Sequence, residues 1–223
     1  MGRGLRIFFF VALMAASAKA KSPDEKKLIQ TWLERQHEIR SLSADFIQTR
    51  SLRSLQSPIK NKGHIWLVKP NLFRWQLGDP PKTVVLRKGR AVDLISPMKR
   101  QVRALDPEEA KRELGMQGAA MMDTPVAKNY ADFISRFEIL NVQSANGRCE
   151  IWILPKQNEE RKFLERITLT FKMADGHLLG FGMRLRSGAA IENEFSQVEI
   201  NQPIPRSVFD FPVRGYEVLN AKN

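Results

Sequence analysis

Two short β-strands separated by a turn are predicted by the stretch Gly63-His64-Ile65-Trp66-Leu67-Val68-Lys69-Pro70-Asn71-Leu72-Phe73-Arg74-Trp75-Gln76. Side chains before Pro70 alternate with period two, which is typical of a strand. Pro70 cannot donate to a ladder and Asn71 tolerates turn geometry, so the chain is expected to reverse there. After the turn, Phe73 and Trp75 point to one side and Arg74 points to the other.

Arg74 has two interpretations. It lies either on a solvated face or in a concave apolar site where its donors find partners, because an arginine is rarely buried without a partner. The strand pattern alone leaves both open.

The N-terminus has the pattern of a secretory signal peptide. Arg3 and Arg6 form a basic region, an apolar run covers 7–16, and a small-residue site predicts cleavage after Ala20. The apolar run is short for a transmembrane helix, which needs about 20 residues. We therefore predict a signal peptide over 1–20 and a single domain over 21–223.

The single cysteine limits the covalent modifications that the chain can carry, and the net charge limits the classes of partner that it can bind. Cys149 is the only cysteine, so no internal disulfide forms and no cysteine near the cleavage site can carry a lipid. It alternates with Ile151 and Ile153, which predicts a core position. The formal charge of +12 falls to +9 without residues 1–20. Export makes nucleic acid an unsuitable partner, which leaves acidic proteins and an anionic membrane surface.

The remaining pattern predicts an α+β fold, mainly antiparallel β. A helix is expected from Ser22 to about Arg40, because Ser22, Pro23 and Glu25 form an N-terminal capping pattern. Ten or eleven strands joined by short turns follow, a meander that tends to curl into an unclosed half β-barrel. They are predicted over 41–55, 59–69, 71–77, 83–87, 90–96, 99–105, 137–144, 148–155, 163–172, 177–186 and 189–201. The proline-rich tail after 201 is expected to be extended.

The middle of the chain departs from the strand pattern. Asp106 is expected to cap a short helix that ends near Leu114, and a further helical turn is predicted at 132–137. Between them lies a methionine-rich stretch that includes Met116, Met121 and Met122. Methionine adapts its shape easily, so this stretch suits either core filling or a lid over an apolar cavity.

Motifs for catalysis or metal binding are missing from the sequence. The three histidines have no second ligand at metal-binding spacing, and no G-x-S-x-G elbow occurs. Gly180 and Gly182 lie within a predicted strand and therefore do not form a nucleotide-binding loop. We expect a binding protein without a cofactor and without enzymatic activity.

Aromatic residues are concentrated in the predicted strands. A curled sheet must either fill its interior with side chains or enclose a cavity. An exported protein with an apolar cavity suits acyl chains, whose burial contributes roughly 0.8 kcal/mol per methylene. The cavity-lining candidates are Phe46, Trp66, Phe73, Trp75, Met116, Met121, Met122, Trp152 and Phe181.

Several segments resemble the LolA family of periplasmic outer-membrane lipoprotein carrier proteins. Asp45-Phe46-Ile47-Gln48 resembles that family's DFxQ element, and 63–75 resembles its segment G-x-l-x-l-(K/R)-P-x-x-F-R-W. The pair Asp175-Gly176 and the C-terminal residues Asn201, Pro203, Ile204, Phe209, Phe211 and Pro212 fit the same pattern. The resemblance extends from Ser22 to Val218.

The resemblance implies a half-barrel under a helical lid and a periplasmic carrier function. Such a carrier takes acylated lipoproteins from an inner-membrane ABC transporter and passes them to an outer-membrane acceptor. It also implies that Arg74 hydrogen-bonds lid backbone and keeps the empty form closed. We expect a monomer. Alternatives are an envelope sensor or regulatory module with the same cavity, a carrier of another lipid for an exporter, and a hydrolase.

Overall fold

A twelve-stranded sheet with helices against one face forms the fold. The computed structural model describes residues 23–106, 109–110, 127–156 and 161–219. Helix α1 covers Pro23–Glu38 and helix α2 covers Tyr130–Arg136, with short 3-10 turns at Pro97–Lys99 and Arg206–Phe209. Within these described ranges, no helix has the length and apolar character needed to cross a membrane.

The strands agree closely with the predicted pattern. In chain order they are β1 Ser41–Ser51, β2 Ile59–Val68, β3 Leu72–Leu77, β4 Thr83–Lys88, β5 Ala91–Ser96, β6 Gln101–Leu105, β7 Phe137–Ala145, β8 Arg148–Pro155, β9 Leu164–Lys172, β10 Leu178–Leu185, β11 Ala190–Ile200 and β12 Glu217–Leu219. The eleven predicted strands are confirmed as β1–β11, and the sequence did not predict β12.

The sheet is a single unclosed layer. Its strand order is β12-β6-β5-β4-β3-β2-β1-β11-β10-β9-β8-β7. Every neighbouring pair is antiparallel except β12 and β6, which run parallel. The pairing of β1 with β11 joins the two halves of the chain at the centre, so the halves extend outward to the free edges β12 and β7. The predicted unclosed, mainly antiparallel architecture is confirmed.

The inner face, defined as the face that α1 and α2 cover, carries the larger apolar core. Trp32 of α1 stacks on Phe171 of β9 with ring centroids 5.2 Å apart, and meets Phe133 of α2 edge-on at 6.3 Å. Ile29 and Leu33 are almost fully buried beside it. Burial of such side chains contributes roughly 1.5–3 kcal/mol each, which explains why the amphipathic α1 packs here.

The outer face of β2–β6 carries a second apolar core. The C-terminal segment, residues 202–216, supplies Phe209, Phe211 and Tyr216 to this core. Phe209 is 1% exposed. The tail that was expected to be extended therefore packs against the outer face of β2–β6 before it pairs with β6.

The helical start predicted at Asp106 is confirmed. The Glu109 N–H donates to Asp106 Oδ1 at 2.8 Å, and the Asp106 N–H donates to Glu109 Oε2 at 3.0 Å. This reciprocal arrangement is a capping box. The lid predicted over Met116–Met122 and the signal peptide predicted over 1–20 lie outside the described residues.

Candidate functional site

The inner face presents a cluster of aromatic rings at its centre. Phe46 of β1 stacks against Trp75 of β3 with centroids 5.8 Å apart and planes 16° apart, and meets Phe195 of β11 edge-on at 6.1 Å. Phe46 is 1% exposed, whereas Trp75 and Phe195 are only partly buried. Accessible aromatic surface therefore faces the helices.

Gly63 of β2 makes room for this cluster. A Cβ at position 63 would collide with the Phe46 ring and would lie 2.6 Å from the Gln76 carbonyl oxygen. Glycine inside a strand commonly marks such a close approach. The glycine that opens the fold-deciding stretch is therefore required by the ring that packs over it.

A buried polar pair adjoins the ring cluster on the same face. Gln48 Nε2 donates to Asn193 Oδ1 at 3.2 Å, and Asn193 Nδ2 donates to the Phe181 carbonyl at 3.3 Å. The two side chains are 4% and 2% exposed. These bonds satisfy polar groups that would otherwise be costly to bury, so β1, β10 and β11 are fixed in register.

Two indole nitrogens on the inner face are buried without a hydrogen-bond partner among the described residues. They belong to Trp32 and Trp75. A buried donor without an acceptor is unfavourable by about 1–3 kcal/mol. The inner face therefore holds apolar surface and two buried indole donors that the described residues leave unpaired.

Lys69 holds the end of α1 against the sheet, a role that the sequence did not predict. Its Nζ donates to the Gln36 carbonyl at 3.1 Å, and Gln36 Nε2 donates to the Gly176 carbonyl at 3.0 Å. Burial lowers the pKa of Lys69. A cation near a helix C-terminus also interacts favourably with the helix dipole. The one feature of the sequence that could have indicated this role is a lysine at the end of a predicted strand, directly before the turn at Pro70.

The predicted cavity-lining residues divide between the two faces. Phe46, Phe73, Trp75 and Phe181 belong to the inner-face core. Trp66 and Trp152 do not lie there, because Trp66 is opposite Arg74 and Trp152 is opposite Thr168 in the register of the outer face. Strand parity sends both tryptophans to the face opposite Phe46. Met116, Met121 and Met122 lie outside the described residues.

Arg74 lies on the outer face. Its Nη1 donates to the Val208 carbonyl at 2.8 Å and its Nη2 donates to Gln76 Oε1 at 2.7 Å. The guanidinium also lies over the rings of Trp66 and Phe211, and burial lowers its pKa. The backbone carbonyl that Arg74 contacts among the described residues belongs to the C-terminal segment. The family resemblance had implied a lid carbonyl as its partner. The lid itself lies outside the described residues.

Trp152 has its own partners on the outer face. Its indole N–H donates to Glu150, and the Arg166 guanidinium lies 4.1 Å from the ring centroid. Cation–π contacts of this kind stabilise exposed aromatic surface by about 0.5–1 kcal/mol. Trp152 is therefore stabilised in place without the inner-face core.

Three polar residues form a hydrogen-bonded chain on the outer face. His64 Nδ1 lies 2.5 Å from Asp45 Oδ1, and His64 Nε2 lies 3.0 Å from Ser43 Oγ. The imidazole stacks on Trp66 at 3.8 Å. This is the connectivity of a Ser–His–Asp triad. The described residues contain no group of three or more His, Cys, Asp or Glu arranged to hold a metal ion.

Comparison with known proteins places this architecture in a family. The family model described as outer membrane lipoprotein carrier protein LolA matches residues 37–212. An outer-membrane lipoprotein carrier protein of Chromohalobacter salexigens is 29% identical over 185 residues, covering 81% of each chain. One of Azotobacter vinelandii is 26% identical over 216 residues, covering 95% of this chain and 98% of that protein.

A solved structure supports the fold. The crystal structure of an uncharacterized conserved protein from Thermus thermophilus superposes with a TM-score of 0.54 at 9% identity, covering 86% of this chain and 99% of that one. At this identity the likeness concerns architecture alone. The family match extends over most of the chain, including β1–β11 and most of the C-terminal segment. The chain belongs to the LolA family of outer membrane lipoprotein carrier proteins.

Proposed function

We propose that this protein is a periplasmic carrier that shelters the acyl chains of lipoproteins against its inner face. It receives them from an inner-membrane ABC transporter and passes them to an outer-membrane acceptor, and it acts as a monomer through binding alone. Its curated relatives are named as lipoprotein carriers. LolA-family carriers are periplasmic, which agrees with the signal peptide predicted over 1–20.

The observation that carries this proposal is the accessible aromatic surface of the inner face. Trp75 and Phe195 are only partly buried around a fully buried Phe46. Acyl chains that cover this surface gain roughly 0.8 kcal/mol per methylene removed from water. Two or three chains would therefore be held without covalent chemistry.

The unpartnered indoles support a ligand with acceptor groups near its chains. The N–H groups of Trp32 and Trp75 are buried on the same face. Acylated lipoproteins carry ester and amide carbonyls next to their acyl chains. A carbonyl that accepts from either indole would satisfy a donor that is costly to leave unpaired.

The test is native mass spectrometry with lipid extraction on the protein purified from the periplasm. The proposal expects a co-purifying triacylated peptide or lipoprotein, released when the protein is denatured. A Phe195→Asp variant that still folds should be purified without cargo, because Phe195 belongs to the accessible part of the ring cluster. Wild-type protein that extracts no lipoprotein from inner-membrane vesicles, in the presence of the transporter, would contradict the carrier function.

The Ser43–His64–Asp45 chain favours a second candidate function, an esterase. It borders an outer-face groove of about 470 Å³ that includes Asp45, His64, Trp66 and Gln76 in its lining. Ser43 Oγ would attack an ester carbonyl, and its proton would pass to His64 Nε2 while Asp45 holds the ring. His64 would return that proton to the departing alcohol as the ester C–O bond breaks, and water would then release the acyl group from Ser43. The chain of residues is on the face opposite Phe46, however, so it cannot reach an acyl group held on the inner face.

Hydrolysis of p-nitrophenyl butyrate separates the two functions. An esterase would lose turnover in Ser43→Ala and in His64→Ala while both variants keep their fold. We expect wild type and both variants to match the buffer rate, because these side chains serve the register between β1 and β2. Turnover that depends on Ser43 would establish the second function.

A further inference from the structure

We propose that one end of the sheet is a docking surface for anionic lipid bilayers. We call this surface the basal rim and define it as residues 50–62, 161–166 and 184–192. These residues hold the end of β1 and start of β2, the start of β9, and the turn from β10 to β11. The inference extends the proposed carrier function by assigning residues for membrane contact, but vesicle docking does not require cargo.

The three segments of the basal rim touch one another. The Arg53 side chain lies over Gly188, where a Cβ would collide with its guanidinium. The Arg186 N–H donates to the Phe163 carbonyl at 2.9 Å, and Arg186 Nε donates to the Arg161 carbonyl at 3.2 Å. The segments therefore form one continuous surface.

Apolar side chains project from the basal rim into solvent. Phe163 is 68% exposed, Leu55 is 43% exposed and Ile59 is 42% exposed. Phe163 and Leu55 occupy separate loops that meet through Arg53 and Arg186. Apolar tips on loops can enter the headgroup region of a bilayer individually, whereas a protein partner would have to cover both together.

The charge of the basal rim matches an anionic surface. Its three segments contain nine basic residues and two acidic ones. Three further acidic residues are close in sequence or pair with the rim: Glu138, which pairs with Arg161, and Glu159 and Glu160, which lie outside the described residues. When these are counted, basic residues still exceed acidic residues by four. Arginine and lysine next to exposed apolar residues are typical of segments that bind anionic membrane surfaces.

Vesicle flotation tests the docking surface. Purified full-length mature protein is mixed with phosphatidylcholine vesicles, with or without phosphatidylglycerol. We expect flotation with the anionic vesicles only, and a loss of that binding with added salt. Reversing two basal-rim charges in the variant Arg53→Glu/Arg186→Glu should lower the partition coefficient about tenfold or more. Phe163→Ser should lower it several-fold.

Matched controls make the same changes elsewhere. Arg90→Glu/Arg148→Glu reverses two exposed charges at the opposite ends of the strands, one in the turn between β4 and β5 and one at the first residue of β8. Val218→Ser removes an apolar side chain that is 64% exposed on β12. Both controls should float like wild type. A lack of flotation by wild type, or equal losses in the rim and control variants, would overturn the proposal.

A cargo-binding assay without vesicles keeps this inference separate from the proposed function. The basal-rim variants should retain acylated cargo at the wild-type level, because Arg53, Phe163 and Arg186 lie in turns outside the strands that carry Phe46 and Trp75. Rim-dependent flotation by a protein that carries no cargo would refute the carrier function and leave the docking surface standing. Cargo binding without flotation would refute the docking surface and leave the carrier function standing.

Discussion

Arg74 of β3 donates through Nη1 to the backbone carbonyl of Val208 at 2.8 Å, and so ties the centre of the sheet to the C-terminal segment. The residue before it and the residue after it, Phe73 and Trp75, face the opposite side. A single strand therefore presents aromatic rings to the inner face and a partly buried guanidinium to the second core.

Replacing Arg74 with leucine should loosen the C-terminal segment. The change removes two charge-assisted hydrogen bonds, to the Val208 carbonyl and to Gln76, and two cation–π contacts. The loss should amount to about 1.5–3 kcal/mol. We expect a lower free energy of unfolding in urea, and faster amide exchange in 204–216 than elsewhere.

The Arg74→Leu result also distinguishes two roles for the residue. If Arg74 instead held a lid on the inner face, Arg74→Leu would change amide exchange in α1 and would change cargo retention. Residues 204–216 would then stay protected. Arg87, on the same hairpin, offers a control through Arg87→Leu, because its Nε donates locally to the Gly89 carbonyl. Unchanged exchange in 204–216 would contradict the role of Arg74 in holding the C-terminal segment.

The sequence predicted the strands well because local alternation and turns determine them. The cap at Asp106, the turn at Pro70 and the core position of Cys149 all follow from residues within a few positions of one another. It missed β12 because a parallel strand of three residues is stabilised by a partner over a hundred residues away. Short parallel pairings leave no local period to detect.

The site was harder to predict than the fold. Parity along a strand separates Phe73 from Arg74, but it does not say which side the helices cover. Trp66 and Trp152 were named as cavity-lining candidates because they are aromatic residues in predicted strands, and the alternation along β2 and β8 places them on the outer face. Lys69 was missed for a similar reason, since its partner Gln36 comes from a different element.

Gly63→Ala should strongly destabilise the ring cluster. The added Cβ would collide with the Phe46 ring and lie 2.6 Å from the Gln76 carbonyl, which is backbone and cannot move aside easily. Overpacking of this kind typically costs about 1–3 kcal/mol. Urea denaturation should show the loss.

Gly182→Ala is the matched control for Gly63. It also lies in a strand, but the nearest atoms to a Cβ there are 3.6 Å away, an ordinary contact distance. We expect a change within about 0.5 kcal/mol of wild type. Equal destabilisation by both substitutions would mean that strand glycines are required for backbone reasons and not for Phe46.

Lys69→Met should free the end of α1. Methionine keeps the apolar stem but removes the donor to the Gln36 carbonyl, which then lacks that partner at the helix terminus. We expect a loss of about 1 kcal/mol and faster amide exchange in the last turn of α1. Lys99→Met, in an exposed turn, should leave both unchanged, and protection of α1 in Lys69→Met would exclude this role.

Cys149 should make stability fall at alkaline pH. Burial raises the pKa of its thiol above the ordinary value of 9.0, so above that pH the folded protein binds a proton that the unfolded chain releases. The contribution of the neutral, buried thiol to the free energy of unfolding is fully present below pH 9.0 and is lost as pH rises through the folded pKa. The difference between wild type and Cys149→Ala, measured by urea denaturation across this range, should shrink or reverse as pH rises. A constant difference would contradict the raised pKa.

Quenching of tryptophan fluorescence should distinguish the two faces directly. A brominated fatty acid quenches only the indoles that it contacts, and the inner face places Trp75 against Phe46 while Trp66 and Trp152 lie outside. We expect Trp75→Phe to reduce the ligand-dependent quenching strongly, with the remainder coming from Trp32, which is 2% exposed on the same face. Trp66→Phe and Trp152→Phe should each retain it, since both lower total emission without touching the acyl surface. Quenching that disappears with Trp152→Phe and persists in Trp75→Phe would place the ligand on the outer face, and the inner face would then be core alone.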